Sequence, residues 1–278
     1  MNKTTFCPTW LGKVFMADSY HTPTDIHPRW QHWPDTAVRL GFIVGFFKRT
    51  VQSWRLVRQG KYDRKAWAKS SLAIFQFVEQ IGGRFHITGL DFLQQPGPFV
   101  FVSNHMSSLE TAVMPGLIAP IMPVTFVAKA TIMDYPFLGQ VILATAPILV
   151  KRKNPREDFQ VVMRQGREAL TQGTSVVIYP QSTRTAVFDP QTFNSLGIKL
   201  ARKANAPIIP IAVKTDFWEN GRRLKDFGPI HRKRPIHIAF GKPFNVDSTS
   251  KEAHQHTIAF IQNHLAAWKK NAPAAADE

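Results

Sequence analysis

The segment Asn104-His105-Met106-Ser107-Ser108-Leu109-Glu110 sets an imidazole five positions before a carboxylate, directly after the apolar run 99–103. A histidine with a reference pKa of about 6.5 can accept a proton at neutral pH. A carboxylate bonded to its far ring nitrogen would fix the tautomer and stabilise the cation that forms. A second apolar run, 175–179, stops at Pro180 and is followed by Gln181, Ser182, Thr183 and Arg184. An amide, hydroxyls and a guanidinium together make a donor set suited to phosphate or carboxylate. Both segments also have plainer readings. Ser107-x-x-Glu110 fits a capping box, which would commit the carboxylate to a helix amino terminus and leave His105 a loop residue. Arg184 could be a surface arginine in a polar turn.

The surrounding pattern predicts the elements that would position these groups. Short β-rich runs at 99–103, 125–128, 148–150, 175–179, 208–213 and 236–240 alternate with helical patterns at 108–118, 136–145, 155–171 and 194–205. In the third helical stretch Phe159, Val162, Met163, Gly166 and Leu170 make one apolar face. Such alternation predicts an α/β fold, a mostly parallel central sheet covered by helices. His105 and Arg184 would then both follow strand carboxyl ends, where open sheets bind ligands. A last amphipathic helix carries Ile258, Ile261, Leu265 and Trp268 before an Ala/Pro tail.

The amino-terminal third reads differently. Residues 1–35 are rich in Pro, His and Trp and carry no regular pattern. From about 36 to 58 the periodicity is helical, with Phe47, Val51 and Trp54 on one face and Arg39, Lys48, Arg49, Arg55 and Arg58 interspersed. After a turn at Gly60, a second helix carries Ile74, Phe77, Val78 and Ile81 and ends at Gly82-Gly83. Five of the seven tryptophans precede residue 68, and Trp favours membrane–water interfaces. The expectation is a helical hairpin lying in one leaflet, held by apolar insertion and by basic residues near anionic headgroups. The alternative is a hairpin packed on the core or on another subunit. The predicted organisation is an amino-terminal segment with its membrane-associated hairpin over 1–83, an α/β domain over 84–248, and a helix with a tail over 249–278.

Bulk composition narrows the classes. A formal charge of +16 asks for an anionic partner: nucleic acid, an anionic lipid surface or phosphorylated small molecules. Hydrophobic content of 44% with 21 Phe excludes a disordered polycation. Cys7 is the single cysteine, so no intrachain disulfide and no cysteine-based zinc cluster can form. The stretch after Met1 lacks the apolar core of a signal peptide. The apolar run 40–47 is far short of the roughly 20 residues that span a bilayer. No helix-turn-helix, zinc framework or RNA-binding signature accompanies the charge, so no nucleic acid is expected. A serine hydrolase is suggested by Ser103, Ser107 and Ser108 around His105, but no G-x-S-x-G elbow exists. His254 and His256 lack acidic or cysteine companions and read as solvated side chains, so no metal is expected. The bases Arg222, Arg223, Lys225, Arg232, Lys233 and Arg234 read as a solvated face, or as one for headgroups or an acidic carrier protein.

Taken in order, the motifs resemble the lysophospholipid acyltransferases of the 1-acylglycerol-3-phosphate acyltransferase (PlsC-like) type over roughly residues 85–245. Asn104-His105 with Glu110 is similar to that family's H-x4-D block. Lys129, Pro136, Gly139 and Val150-Lys151-Arg152 resemble its second block, Pro180-Gln181-Ser182-Thr183-Arg184 its P-E-G-T-R block, and Pro207-Ile208-Ile209-Pro210 its fourth. Three positions depart: Glu110 stands for aspartate, Gln181 for glutamate and Ser182 for glycine. The resemblance implies transfer of a fatty acyl group from acyl-CoA or acyl carrier protein to a lysophospholipid hydroxyl, most directly that of 1-acylglycerol-3-phosphate. His105 would be the base and Glu110 its partner; Arg184, Arg152 and Lys129, with Gln181, Ser182 and Thr183, would hold the phosphate. No cofactor beyond the thioester co-substrate and no metal is implied. The implied setting is the lipid surface at the cytoplasmic face of a bacterial inner membrane. The alternatives are a different lysolipid or hydroxylated acceptor, and a catalytically degenerate membrane-binding relative.

Overall fold

Successive side chains of a strand point to opposite faces, so a strand buried on both sides must supply two cores. The computed structural model, which describes residues 18–30, 32–181, 183–221, 226–246 and 249–270, has this arrangement. Its strands are β1 (Ser19–His21), β2 (Phe85–Thr88), β3 (Val100–Ser103), β4 (Val124–Lys129), β5 (Ile148–Val150), β6 (Ser175–Ile178), β7 (Ile208–Lys214) and β8 (Ile236–Phe240). They form one sheet in the order β1-β2-β8-β7-β3-β6-β4-β5. Strands β7, β3, β6, β4 and β5 run parallel, whereas β8 is antiparallel to β7 and β1 is antiparallel to β2.

The helices are α1 (Asp35–Arg58), α2 (Arg64–Gln80), α3 (Ser108–Ile118), α4 (Leu138–Leu143), α5 (Pro155–Thr171), α6 (Leu196–Ala204) and α7 (Ser250–Lys270). One core joins Phe101, Val177, Ile209 and Ile211 to Phe42 of α1, Leu72 and Phe75 of α2, and Val113 of α3. The other joins Val100, Val102, Val176 and Ile178 to Val162 of α5, Ile198 of α6 and Ile261 of α7. The predicted α/β class with a mostly parallel covered sheet is the observed one.

Differences lie at the margins. Residues 1–35, expected to be irregular, contain β1, and β2 was not anticipated at all. Neither has the near-continuous apolar run that marks β3, β5 and β6, since polar residues interrupt both. Here pairing creates them, with Thr22 N donating to Phe85 O at 2.9 Å. Tyr20 and Thr22 donate hydroxyls to Glu79 of α2 at 2.7 and 2.6 Å, which pins β1 to the body. The helix expected over 136–145 is shortened to α4 and preceded by a 3-10 turn, Ala130–Asp134. Gly139 is required there, because a Cβ would stand 2.3 Å from the Met133 carbonyl oxygen.

The hairpin α1–α2 packs on the core with one side only. Phe42 sits between Phe77 and Trp218, at ring separations of 5.8 and 4.7 Å. Gly45 lets the Phe77 ring approach to where a Cβ would be 2.3 Å away. On the outward side Leu40, Val44 and Phe47 are exposed. Among the described residues no helix is long and apolar enough to cross a membrane. Helix α2 also repairs α3. Pro115 lies inside α3, and the Ser71 hydroxyl of α2 accepts from Gly116 N at 2.7 Å and donates to Ala112 O at 2.6 Å. It thereby bridges the donor and acceptor of the 116-to-112 step beside the proline.

Candidate active site

Because five strands run parallel, their carboxyl ends share one rim of the sheet. His105 follows β3, Lys129 closes β4, Arg152 follows β5, Gln181 to Arg184 follow β6, and Thr215 follows β7. Residues more than 100 positions apart in sequence therefore meet at this rim. Asn104 extends the ladder past the end of β3. Its Nδ2 donates to Val213 O and its Oδ1 accepts from Val213 N, each at 2.8 Å. An amide offers its donor and its acceptor on two separate atoms, so it can pair with both groups of one residue as a neighbouring strand would; a carboxylate has no donor. The chain is thereby held in register up to His105.

Glu110 is wholly buried yet fully engaged. Its Oε1 accepts from His105 Nδ1 at 2.8 Å, Met106 N at 2.7 Å and Ser107 N at 2.8 Å. Its Oε2 accepts from Thr215 Oγ1 at 2.6 Å and Ser107 Oγ at 2.9 Å. Burial pushes this carboxyl up, but the His105 bond and charge, with Thr215 and Ser107, outweigh it and hold the group below its ordinary value. The two sequence readings are therefore one structure: Ser107 and Glu110 form a capping box on α3, and the same carboxylate reaches the imidazole. An anionic acceptor on Nδ1 requires the proton to sit on Nδ1, leaving Nε2 as the free base. The His105 side chain is 15% exposed, so it reaches solvent from an otherwise closed surround.

The β6 loop braces His105 from the other side. The buried Gln181 accepts from His105 N at 2.6 Å and donates from Nε2 to Thr185 Oγ1 at 3.0 Å. Thr185 N in turn donates to His105 O at 3.0 Å. The Tyr179 ring stacks on the imidazole with centroids 4.4 Å apart. Burial, then Glu110, raises the Tyr179 hydroxyl well above its ordinary value, and that oxygen has no hydrogen-bond partner among the described residues.

Arg184 lies on the same rim. Its Nη1 contacts Ser108 Oγ in the first turn of α3 and is 2.5 Å from Asp226 Oδ1. Arg152 is exposed, at φ 57°, with its backbone N donating to Asp158 Oδ2 at 2.7 Å. Desolvation lowers its guanidinium, Asp158 opposes, and the charge of Arg184 adds to the fall. Lys129 is exposed and pairs in register with Val150, two residues before Arg152. Thr183 is exposed; Ser182 lies outside the described residues, as do Arg222, Arg223 and Lys225. The structure thus gathers His105, Glu110, Gln181, Arg184 and Arg152 at one rim and turns the Gln181 side chain inward.

Sequence reading missed Thr215, Asp226, Tyr135, Tyr179 and Asn220. Thr215 could have been found as the first residue past a buried strand. Asp226 stands in a run of bases and gave no signal. Asn220 Nδ2 donates to Met106 O at 2.8 Å, adding a further hold on the loop. His254, expected to be solvated, stacks on Phe193 at 5.8 Å, and burial lowers its pKa. Among the described residues no group of three or more His, Cys, Asp or Glu is arranged to hold a metal ion.

Comparison with known proteins bears on the same region. Residues 84–214 match the family described as Acyltransferase. The 1-acyl-sn-glycerol-3-phosphate acyltransferase of Pseudomonas aeruginosa is 30% identical over 203 residues, covering 73% of this chain and 73% of that protein. The human 1-acyl-sn-glycerol-3-phosphate acyltransferase alpha is 29% identical over 143 residues, 49% of this chain and 48% of its own. The crystal structure of the 1-acyl-sn-glycerophosphate (LPA) acyltransferase PlsC from Thermotoga maritima superposes with a TM-score of 0.63 at 17% identity, covering 88% of this chain and 98% of that one.

Proposed function

The chain belongs to the PlsC-like acyltransferase family, and on that premise we propose that it acylates 1-acylglycerol-3-phosphate from a thioester donor, acyl-CoA or acyl carrier protein, in phospholipid biosynthesis. The observation that carries this reading is the His105 Nδ1 to Glu110 Oε1 bond of 2.8 Å, on the same rim as Arg184. His105 Nε2 takes the proton from the acceptor hydroxyl as its oxygen attacks the thioester carbon. The C–O bond forms, the C–S bond breaks, and the proton passes from the imidazolium to the departing thiolate. Glu110 holds the ring and stabilises its positive charge. Arg184 and Arg152 bind the acceptor phosphate and so hold the hydroxyl near Nε2, with Lys129 and Thr183 at the outer edge. Gln181 acts by fixing the backbone of His105.

Membrane attachment is peripheral in this reading, at the cytoplasmic face of a bacterial inner membrane. Its support is the exposed stripe Leu40, Val44 and Phe47 on α1, beside Arg39 and Lys48. The test is a product assay with purified protein, 1-acylglycerol-3-phosphate and each donor in turn. Phosphatidate formed by the native protein and lost in His105→Ala supports the proposal. Free fatty acid without acylated acceptor would replace transfer by hydrolysis. No turnover of either donor would leave a membrane-binding relative.

A further inference from the structure

Asp226 stands in an anion site built by its neighbours. Its Oδ1 is 2.5 Å from Arg184 Nη1 and accepts from Ser108 Oγ at 3.0 Å, while its Oδ2 accepts from Tyr135 OH at 2.5 Å. A guanidinium and two hydroxyls converge on one carboxylate at the amino end of α3, three residues from His105. That is the donor set a phosphate would use. We propose that Asp226 occupies the acceptor-phosphate subsite and sets headgroup specificity: a phosphomonoester dianion displaces it from Arg184, whereas a phosphodiester monoanion does so poorly. The inference rests on Arg184 being the phosphate contact.

The physical basis is an exchange of anions. Burial raises the Asp226 carboxyl, but the Tyr135 bond, the Arg184 charge and Ser108 outweigh it and keep the group below its ordinary value. A headgroup must therefore compete with a formed charge pair. A phosphomonoester carries about −1.5 to −2 charges near neutrality and three strong acceptor oxygens. A diester has a single charge and fewer free oxygens. Selectivity then comes from a repulsive element as well as an attractive one. Arg184 and Asp226 are 19% and 30% exposed, so the carboxylate has an open side into which to turn.

Initial rates with 1-acylglycerol-3-phosphate and with lysophosphatidylglycerol, in the native protein and in Asp226→Asn, Tyr135→Phe and Arg184→Ala, test this. Asp226→Asn should lower KM for both acceptors, more for the diester, so that the monoester-to-diester ratio of kcat/KM contracts about tenfold. Tyr135→Phe, which loosens Oδ2 alone, should contract it less. If the native protein turns over no diester, a gain of that turnover in Asp226→Asn is the supporting result. An unchanged or widened ratio in both variants, or a rise in KM for the monoester, overturns the inference. Arg184→Ala separates the two readings. If it raises the monoester KM while the Asp226→Asn ratio stays fixed, only this inference fails; if it leaves that KM unaltered, the phosphate role of Arg184 fails as well.

Discussion

Glu110 Oε1 holds His105 Nδ1 at 2.8 Å and, with the same oxygen, accepts the backbone N–H of Ser107 that caps α3. Helix capping and orientation of the base are thus one interaction. A disturbance of either reaches the other.

Glu110→Gln keeps an acceptor for both groups but removes the charge that stabilises the imidazolium. Acyl transfer should fall by about 10²-fold or more, with a smaller loss of melting temperature than in Glu110→Ala. Glu110→Ala should lose the glutamate half of the capping box and leave buried donors unpaired, at about 1–3 kcal/mol. Because the folded carboxyl lies below its unfolded value, its contribution to stability is full above the unfolded pKa and is lost as pH falls through the folded one. Rates and thermal melts of the two variants check this; identical losses of stability would contradict the dual role.

Gln181 should behave as a brace. Gln181→Glu retains the acceptor for His105 N, with the Thr185 hydroxyl turning to donate, and activity should stay within several-fold. Gln181→Ala strands a backbone donor and should cost about 1–3 kcal/mol of stability. It should lower kcat more than it raises the acceptor KM, since its polar atoms face the protein. A dominant KM effect would make Gln181 a direct acceptor contact instead.

On α1, Leu40→Glu with Val44→Glu should weaken retention by vesicles containing phosphatidylglycerol several-fold. Turnover of micellar substrate should be maintained, because both side chains are exposed on the outward side of α1. Added salt should weaken binding further, by screening the flanking bases. Sedimentation with vesicles measures both, and equal retention of native and variant protein would count against attachment through this stripe.

The histidines His21, His86 and His237 lie in register across β1, β2 and β8, with Lys214 of β7 next in line. Burial first, then His86 and Lys214, push His237 down to about 4, against a smaller opposing effect of Asp216; the ring also stacks on Trp268. Its folded pKa lies below the unfolded 6.5, so its contribution is intact above 6.5 and is lost progressively as pH falls toward 4. Melting temperatures across that window should decline in the native protein and decline less in His237→Gln. Parallel pH curves would refute the assignment.

How far the chain could be read without coordinates depended on the range of the interaction. Helices α3, α5 and α7 and the strands β3 to β8 were legible, because their apolar patterns lie within a single element. The short strands β1 and β2 were not, since each exists through its partner. Ser107-x-x-Glu110 is a local pattern and was read as a cap, but whether its carboxylate also reached His105 depended on the turn of the loop between them.

What the sequence determined by itself was the α/β class and the two loops that carry a base with a carboxylate and an arginine, because those are properties of neighbouring residues. Tertiary structure decided what surrounds them. Thr215 meets Glu110 across 105 positions, and Asp226 meets Ser108 across 118. Both meetings follow from where parallel strands end and how the chain returns over the rim. Hydrogen bonds and ion pairs act over a few ångströms of space and carry no mark in the local sequence, so only the folded chain brings these partners together.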